Sequence, residues 1–273
     1  MTDRLPGRLV LLGHPVAHSL SPAFQNAALR HAGIPLTYQV LDVAPDSLTD
    51  VLQGLREQHA AGNVTIPHKE AVALACGELT PLAQRAAAVN TFWTRDDGTL
   101  VGDNTDVAGF EALADALGVV RERCAVACFG SGGAASAVCA AVERWPGAVV
   151  TLTARSLPRA RLLAQRFEAS VRVAESPREA LAGANLVVNA TPIGLRDDSL
   201  PVAISDLPRD ARVMDLVYRP GETRWVRAAR EAGHVAGDGR EMLLHQGAAA
   251  FVRWFHRPPD LGIMRRALEA AAA

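Results

Sequence analysis

The chain has 273 residues, with 28 Lys+Arg against 29 Asp+Glu and a formal net charge of −1, so it has no excess of basic charge to suit nucleic acid or an acidic membrane surface. Apolar residues make up 49%, and at about 150 residues per domain the length fits one large or two modest domains. No stretch approaches the ~18 apolar residues of a membrane-spanning helix, and the apolar run before Gly13 is too short for a secretory leader.

Strand-like and helix-like segments alternate along the chain, the pattern of an α/β class with mainly parallel sheets. The first half opens with RLVLLG (8–13), a helix over 21–32 and the strand-like LTYQVLDV (36–43). A helix over 47–58 follows. The run Asn63-Val64-Thr65-Ile66 then reads as a strand, and Pro67 as the opening of a helix. Lys69 thus falls in a first helical turn, where the helix dipole disfavours a cation. Its presence there needs a reason. Another helix spans about 81–88, and NTFWTRDDGTLVGDNTD (90–106) reads as a hairpin around Asp-Asp-Gly. Residues 106–117 place Val107, Phe110, Ala114 and Leu117 on one helical face, headed by Asp106.

The second half restarts with its own strand–helix series, with strands expected at 124–129, 148–153, 185–190, 211–217 and near 234–236. A helix over 240–256 and a closing helix from about 260 complete the chain; the closing helix is expected to pack on the first domain and its alanine tail to fray. The cysteines at 76, 124, 128 and 139 form no CxxC pair, and the last three sit in apolar runs. They read as buried thiols of a reducing, cytoplasmic compartment.

CAVACFGSGGAASAVCAAV (124–142) is an apolar strand, a glycine turn and a small-residue helix. Gly130, Gly132 and Ala135 fit the dinucleotide fingerprint: a tight turn, close approach to a pyrophosphate, and tight helix–strand packing. The helix N-terminus favours the anion. An NAD site ordinarily carries Asp or Glu about 20 residues after the first glycine, for the ribose 2′-hydroxyl. No acid occurs between Glu143 and Glu168; Arg155, Ser156 and Arg159 stand there instead. Guanidinium groups at that position suit a 2′-phosphate, so the expected cofactor is NADP.

In GHPVAHSLSPAFQNAAL (13–29), Ser19 and Ser21 lie between strand and helix, Ser21 reading as the N-cap before Pro22. His14 and His18 are four apart, but a proline-containing loop is no helix face, so no metal is expected there. Asp106 and Asn90 each have an ordinary cap or turn role. Taken together, however, Ser19, Ser21, Asn63, Thr65, Lys69, Asn90 and Asp106 fall at strand C-termini or helix N-termini. That is the edge at which open α/β sheets bind ligands. The set suits a small, polyhydroxylated anionic molecule.

The runs GHPVAHSLSP, NVTIPHK, AVNT, GDNTD, GSGGA, NATPIG, DLVYRP and DGREMLLHQ resemble the shikimate dehydrogenase family, in order and over nearly the whole chain. The resemblance implies that Ser19 and Ser21 bind a substrate carboxylate. Asn63, Thr65, Asn90, Asp106 and Gln246 would hold ring hydroxyls, and Tyr218 would line the same pocket. Lys69 and Asp106 would be the catalytic pair. Gly130, Ser131, Gly132, Gly133 and Ala134 would form the phosphate loop; Thr191, Met242 and Gly237 would lie near the nicotinamide. Three positions depart from the family pattern: Ala154-Arg155-Ser156 replaces Asn-Arg-Thr, Gln25 replaces His, and Pro192 replaces a Ser.

The expectation is therefore two α/β domains with a cleft between them, the second of Rossmann type. Residues 1–105, completed by the helices of about 240–273, would bind substrate, and 106–239 would bind NADP. The implied activity is NADPH-dependent reduction of 3-dehydroshikimate to shikimate. A quinate-oxidising relative and a non-catalytic NADP-binding regulator are the alternatives. The assembly state is not legible in the sequence; a homodimer is a candidate.

Overall fold

A computed structural model describes residues 5–272. The chain divides into two compact units, one of Met1–Asp106 with Leu243–Ala273 and one of Val107–Met242. Both are α/β.

In the first unit, β1 (Leu9–Gly13) leads to α1 (Ser21–His31), β2 (Tyr38–Asp42), α2 (Leu48–Glu57) and β3 (Ala61–Val64). Next come α3 (Lys69–Ala75), β4 (Glu78–Leu79), α4 (Pro81–Ala86), β5 (Thr91–Thr94) and β6 (Leu100–Asp103). The helix α5 (Asp106–Ala116) carries the chain across to the second unit. The sheet order is β2-β1-β3-β5-β6-β4. β1 runs parallel to both its neighbours and is buried on both faces, which is why it reads as continuous Leu-Val-Leu-Leu rather than an alternation. β5 runs antiparallel to β3 and β6, so the sheet is mixed. Leu48, Leu52 and Leu55 of α2, at helical spacing, join Val10, Leu12, Val64 and Phe92 in one core.

The second unit holds β7 (Ala125–Phe129), α6 (Gly133–Val142), β8 (Val149–Thr153), α7 (Leu157–Gln165), β9 (Val171–Val173) and α8 (Pro177–Leu181). It continues through β10 (Leu186–Asn189), β11 (Arg212–Asp215), α9 (Arg224–Glu231) and β12 (Ala236–Gly237). All neighbours in the order β12-β11-β10-β7-β8-β9 are parallel. The order reverses between β7 and β10, the switch point at which such sheets bind ligands. α6 is built of Ala, Ser, Cys and Val and is buried from Ala135 to Val142; side chains this small let its backbone lie close to the strands.

α10 (Arg240–Phe255) returns the chain to the first unit, where α11 (Leu261–Ala272) packs on α1. The expected fraying is not seen through Ala272, which is helical and buried; Ala273 lies outside the described residues. The short strands β4 and β9 are additions to the pattern expected from the sequence. Among the described residues no helix is long and apolar enough to cross a membrane.

Candidate active site

Lys69 owes its place to the end of β3. The strand stops at Val64, earlier than its sequence suggests: the Thr65 amide still takes its ladder bond to Leu12 O, but the His14 amide then meets Ile66 O, one residue out of step, and Pro67 has no N–H to continue. Pro67 sits in the following turn, joined to Ile66 by a cis peptide, and not in the helix as expected. Lys69 is the first residue of α3. His68 before it is buried and its ring donates to the Val43 carbonyl at 2.6 Å, which anchors the turn.

The Lys69 ammonium lies 2.5 Å from Asp106 Oδ2, with side-chain exposures of 16% and 6%. A cation at the start of a helix thus has its counter-charge on a different element, at the head of α5. Asp106 Oδ1 accepts from Asn90 Nδ2 at 2.9 Å. The same amide group reaches Thr105 Oγ1 at 3.0 Å and Gln246 Oε1 at 3.2 Å. Asn90 Oδ1 accepts from the Thr105 amide at 2.7 Å and from the hydroxyl of Thr91 at 3.2 Å. Asn90 is therefore the hub that fixes both Asp106 and Gln246; it is buried, as is Gln246, whose Nε2 donates to Leu243 O at 2.8 Å.

Asn63 has partners within the protein as well as its expected role. Its Nδ2 donates to Asn90 O at 3.0 Å and Thr91 Oγ1 at 2.9 Å, and its Oδ1 accepts from Tyr38 OH at 2.8 Å. Both its donors are used within the protein, so it braces β3 against β5. Tyr38 is itself clamped to α1: Asn26 accepts from its amide at 2.8 Å and donates to its carbonyl at 3.1 Å.

Ser21 is not an N-cap. Leu20 holds that position in helical conformation with no side-chain cap, and Ser21 opens the helix, its amide donating to Ser19 Oγ at 3.2 Å. Among the described residues the hydroxyls of Ser21 and Thr65 have no partner, and Lys69 keeps two N–H donors beyond its contact with Asp106. This unit thus offers hydroxyls, an ammonium and an anchored carboxylate at the ends of β1, β3 and β6. His14 meets Asp42 at 2.6 Å.

In the second unit the loop after β7 has the features a pyrophosphate needs. Gly130 has φ +129°, and a Cβ there would lie 2.7 Å from the Ala190 carbonyl. A Cβ on Gly132 would meet nothing within 4 Å, so the space above the turn is open. Gly132 caps α6 without any side-chain bond, and no acid lies in the first turn. The amide donors there are left for an anion, with Ser131, Gly133 and Ala134 partly exposed around them. After β8, Arg155 is exposed and has no ion-pair partner among the described residues. Ser156 is the N-cap of α7, its oxygen accepting from the Arg159 amide. The donor set fits NADP, with Arg155 as the free cation on the β8 side.

Thr191 follows β10, Tyr218 follows β11, Gly237 pairs with Met214 in β12, and Met242 is buried in the first turn of α10. Backbone crowding falls on Gly239 more than on Gly237: a Cβ on Gly239 would stand 2.4 Å from Leu216 O. Asn189 and Asp215, at the ends of β10 and β11, had no expected role, yet they are buried and bonded to each other. In the sequence each is a polar residue closing an apolar strand, and each heads one of the quoted runs, NATPIG and DLVYRP. Burial pushes the thiols of Cys76 and Cys139 up to about 12 and that of Cys124 to about 11, so none is placed to act as a nucleophile.

Comparison with known proteins gives the family. The family profile described as shikimate dehydrogenase substrate binding domain matches residues 11–92. The profile described as shikimate 5′-dehydrogenase C-terminal domain matches residues 239–269. The chain is 43% identical to a shikimate dehydrogenase (NADP(+)) of Symbiobacterium thermophilum, over 99% of this chain and 96% of that one. A shikimate 5-dehydrogenase of Thermus thermophilus, solved in complex with NADP(H) and shikimate, is 37% identical with TM-score 0.87, covering 97% of this chain and 99% of its own. A quinate dehydrogenase of Corynebacterium glutamicum in complex with NAD is 29% identical with TM-score 0.86, covering 96% and 98%.

Proposed function

Because the chain belongs to the shikimate dehydrogenase family, we propose that it catalyses the reversible NADPH-dependent reduction of 3-dehydroshikimate to shikimate, a step of chorismate and aromatic amino acid biosynthesis. The observation that carries this reading is the Lys69–Asp106 pair, 2.5 Å apart and anchored by Asn90. When bound, NADPH supplies the hydride. Lys69 is the proton donor to the reacting oxygen, and Asp106 holds the ammonium in place. Ser19 and Ser21 take the substrate carboxylate; Asn63, Thr65, Asn90, Asp106 and Gln246 take ring hydroxyls, Asn63 through the lone pair its Oδ1 keeps beside the Tyr38 bond. Arg155, helped by Ser156 and Arg159, selects the 2′-phosphate.

Purified protein mixed with shikimate and NADP+ should show the rise of the reduced nicotinamide absorbance band; no rise with either cofactor would refute the catalytic reading. The structural likeness to the quinate dehydrogenase supports one second reading, broader use of quinate and NAD. Running both polyols against both cofactors separates the two. We place the protein in the cytoplasm, in keeping with its four free cysteines.

A further inference from the structure

In the first unit, α10 meets the sheet where β5 begins and β6 ends, through two side chains of one stripe. Gln246 and Arg253 are seven residues apart on that helix, about two turns, so they point to the same side. Gln246 Oε1 accepts from Asn90 Nδ2 at 3.2 Å, and Arg253 Nε donates to Asp103 Oδ2 at 2.6 Å. The two landing points are themselves joined. The Asn90 amide donates to the Asp103 carbonyl at 3.1 Å, and Asp103 stands opposite Thr91 in the antiparallel register of β5 and β6.

The two contacts differ in strength. Asn90 Nδ2 has two hydrogens and three acceptors: Asp106 Oδ1 at 2.9 Å, Thr105 Oγ1 at 3.0 Å and Gln246 Oε1 at 3.2 Å. Gln246 has the longest of the three, so this bond alone is a poor hold on the helix. Arg253 and Asp103 form an ion pair, and a charge-assisted bond is about twice as strong as a neutral one. Asp103 is 1% exposed and its place is fixed: Oδ1 accepts from the Thr80 hydroxyl and from the Asn104 amide at 2.8 Å. Thr80 is in turn the N-cap of α4. Oδ2 is left to Arg253, whose side chain is half-exposed.

We infer that Arg253 and Asp103 are positioning residues: their ion pair seats α10 on the sheet edge and so places the Gln246 amide for the ring hydroxyls of the substrate. The inference rests on the substrate reading of this unit, which it deepens. Gln246 keeps one N–H after its bond to Leu243 O, and that donor is placed only as well as the helix that carries it. Lys69 and Asp106 head other helices, α3 and α5. The ion pair therefore acts on substrate affinity and leaves the proton donor unchanged.

The test is steady-state kinetics of the full chain with shikimate and NADP+, alongside urea unfolding of each variant. Arg253→Leu should raise the KM for shikimate about 2- to 12-fold, the range of one hydrogen bond, with kcat and the KM for NADP+ near those of the wild type. Arg253→Lys keeps the charge and should keep the KM. Arg253→Leu also strands a buried carboxylate and should lower stability. Adding Asp103→Asn removes the stranded charge and should restore stability while the KM stays raised; a purely structural role would bring the KM back with the stability. In Gln246→Ala, whose own KM is raised, adding Arg253→Leu should raise the KM no further. If Arg253→Leu does not fold, the variant with both Arg253→Leu and Asp103→Asn carries the same expectation. An unchanged KM in the folded variants, a KM that recovers with stability, or an equal rise with and without Gln246 overturns the inference. A wild type that does not turn over shikimate removes the catalytic reading and the inference together, whereas turnover with an unchanged KM in the variants removes the inference alone.

Discussion

Replacing Lys69 with methionine keeps the side-chain length and removes the charge, leaving Asp106 buried with only Asn90 to donate to it. Two unit charges near contact attract by about 4 kcal/mol at an effective dielectric of ~20, and desolvation of both offsets much of that. Stranding one member alone costs about 3–5 kcal/mol. Because Asn90 still donates to Asp106 Oδ1, the expected loss is near the lower end, about 3 kcal/mol. The pair Lys69→Met with Asp106→Asn leaves no charge uncompensated and should recover most of it. Activity should behave otherwise. Loss of a positioned proton donor lowers turnover about 10²- to 10⁴-fold, roughly 3–5 kcal/mol of transition-state stabilisation. Neither variant restores that donor. Stability is read by urea unfolding together with amide exchange in β3 and β5, and turnover by nicotinamide absorbance. Near-normal turnover in Lys69→Met, or turnover recovering in step with stability in the double variant, would refute the assignment.

Arg155→Ala should reduce the ratio of kcat/KM for NADPH over NADH by about 10- to 150-fold, the worth of one charge-assisted hydrogen bond, while leaving the KM for dehydroshikimate unchanged. Gly130→Ala meets both φ +129° and the Ala190 carbonyl at 2.7 Å; a melting curve should show a loss of about 1–3 kcal/mol, and NADP+ affinity should fall with it. For Asp215, burial raises the folded value to about 6 from 3.8, so between those values the folded chain binds more protons than the unfolded one. Stability should therefore fall as pH rises through that window, by about 3 kcal/mol at 1.36 kcal/mol per unit. Urea midpoints across the window should show the slope in the wild type and its loss in Asp215→Asn; equal slopes would refute it.

Much of the fold could be read from the sequence because its signals are local. Continuous apolar runs mark β1, β7 and β10, and glycine followed by small residues marks the β7–α6 turn. The short strands escape such a reading because Glu78–Leu79 and Val171–Val173 are too brief to show a period. Strand β3 ends early because its pairing with β1 slips by one residue at Ile66, which takes the His14 amide, and Pro67 has no N–H to carry it on. Ser21 fits a cap by residue type, but helical geometry already at Leu20 decides otherwise. For the active-site residues, the positions could be read from the sequence and their partners could not. Lys69 and Asp106 meet across 37 residues, and Asn90 meets Gln246 across 156; only the sheet order makes them neighbours. Asn189 and Asp215 look like strand ends in the sequence because their pairing depends on the β10–β11 register.

The reversed strand β5 has a practical consequence. In a sheet whose strands all run one way, every loop near the ligand edge is a connection that leaves a strand. Because β5 runs against β3 and β6, Asn90 enters that edge at the start of its strand, and the turn joining β5 to β6 lies at the far end of the sheet. The tip of that turn, Asp96 and Asp97, is exposed, about four residues' rise from the polar cluster, or roughly 13 Å. Extra chain can be spliced in there, or the backbone opened for permutation, with every group around Lys69 still anchored by its own strand. The hairpin is thus a handle built into the first unit, attached to its most constrained residues yet facing away from them.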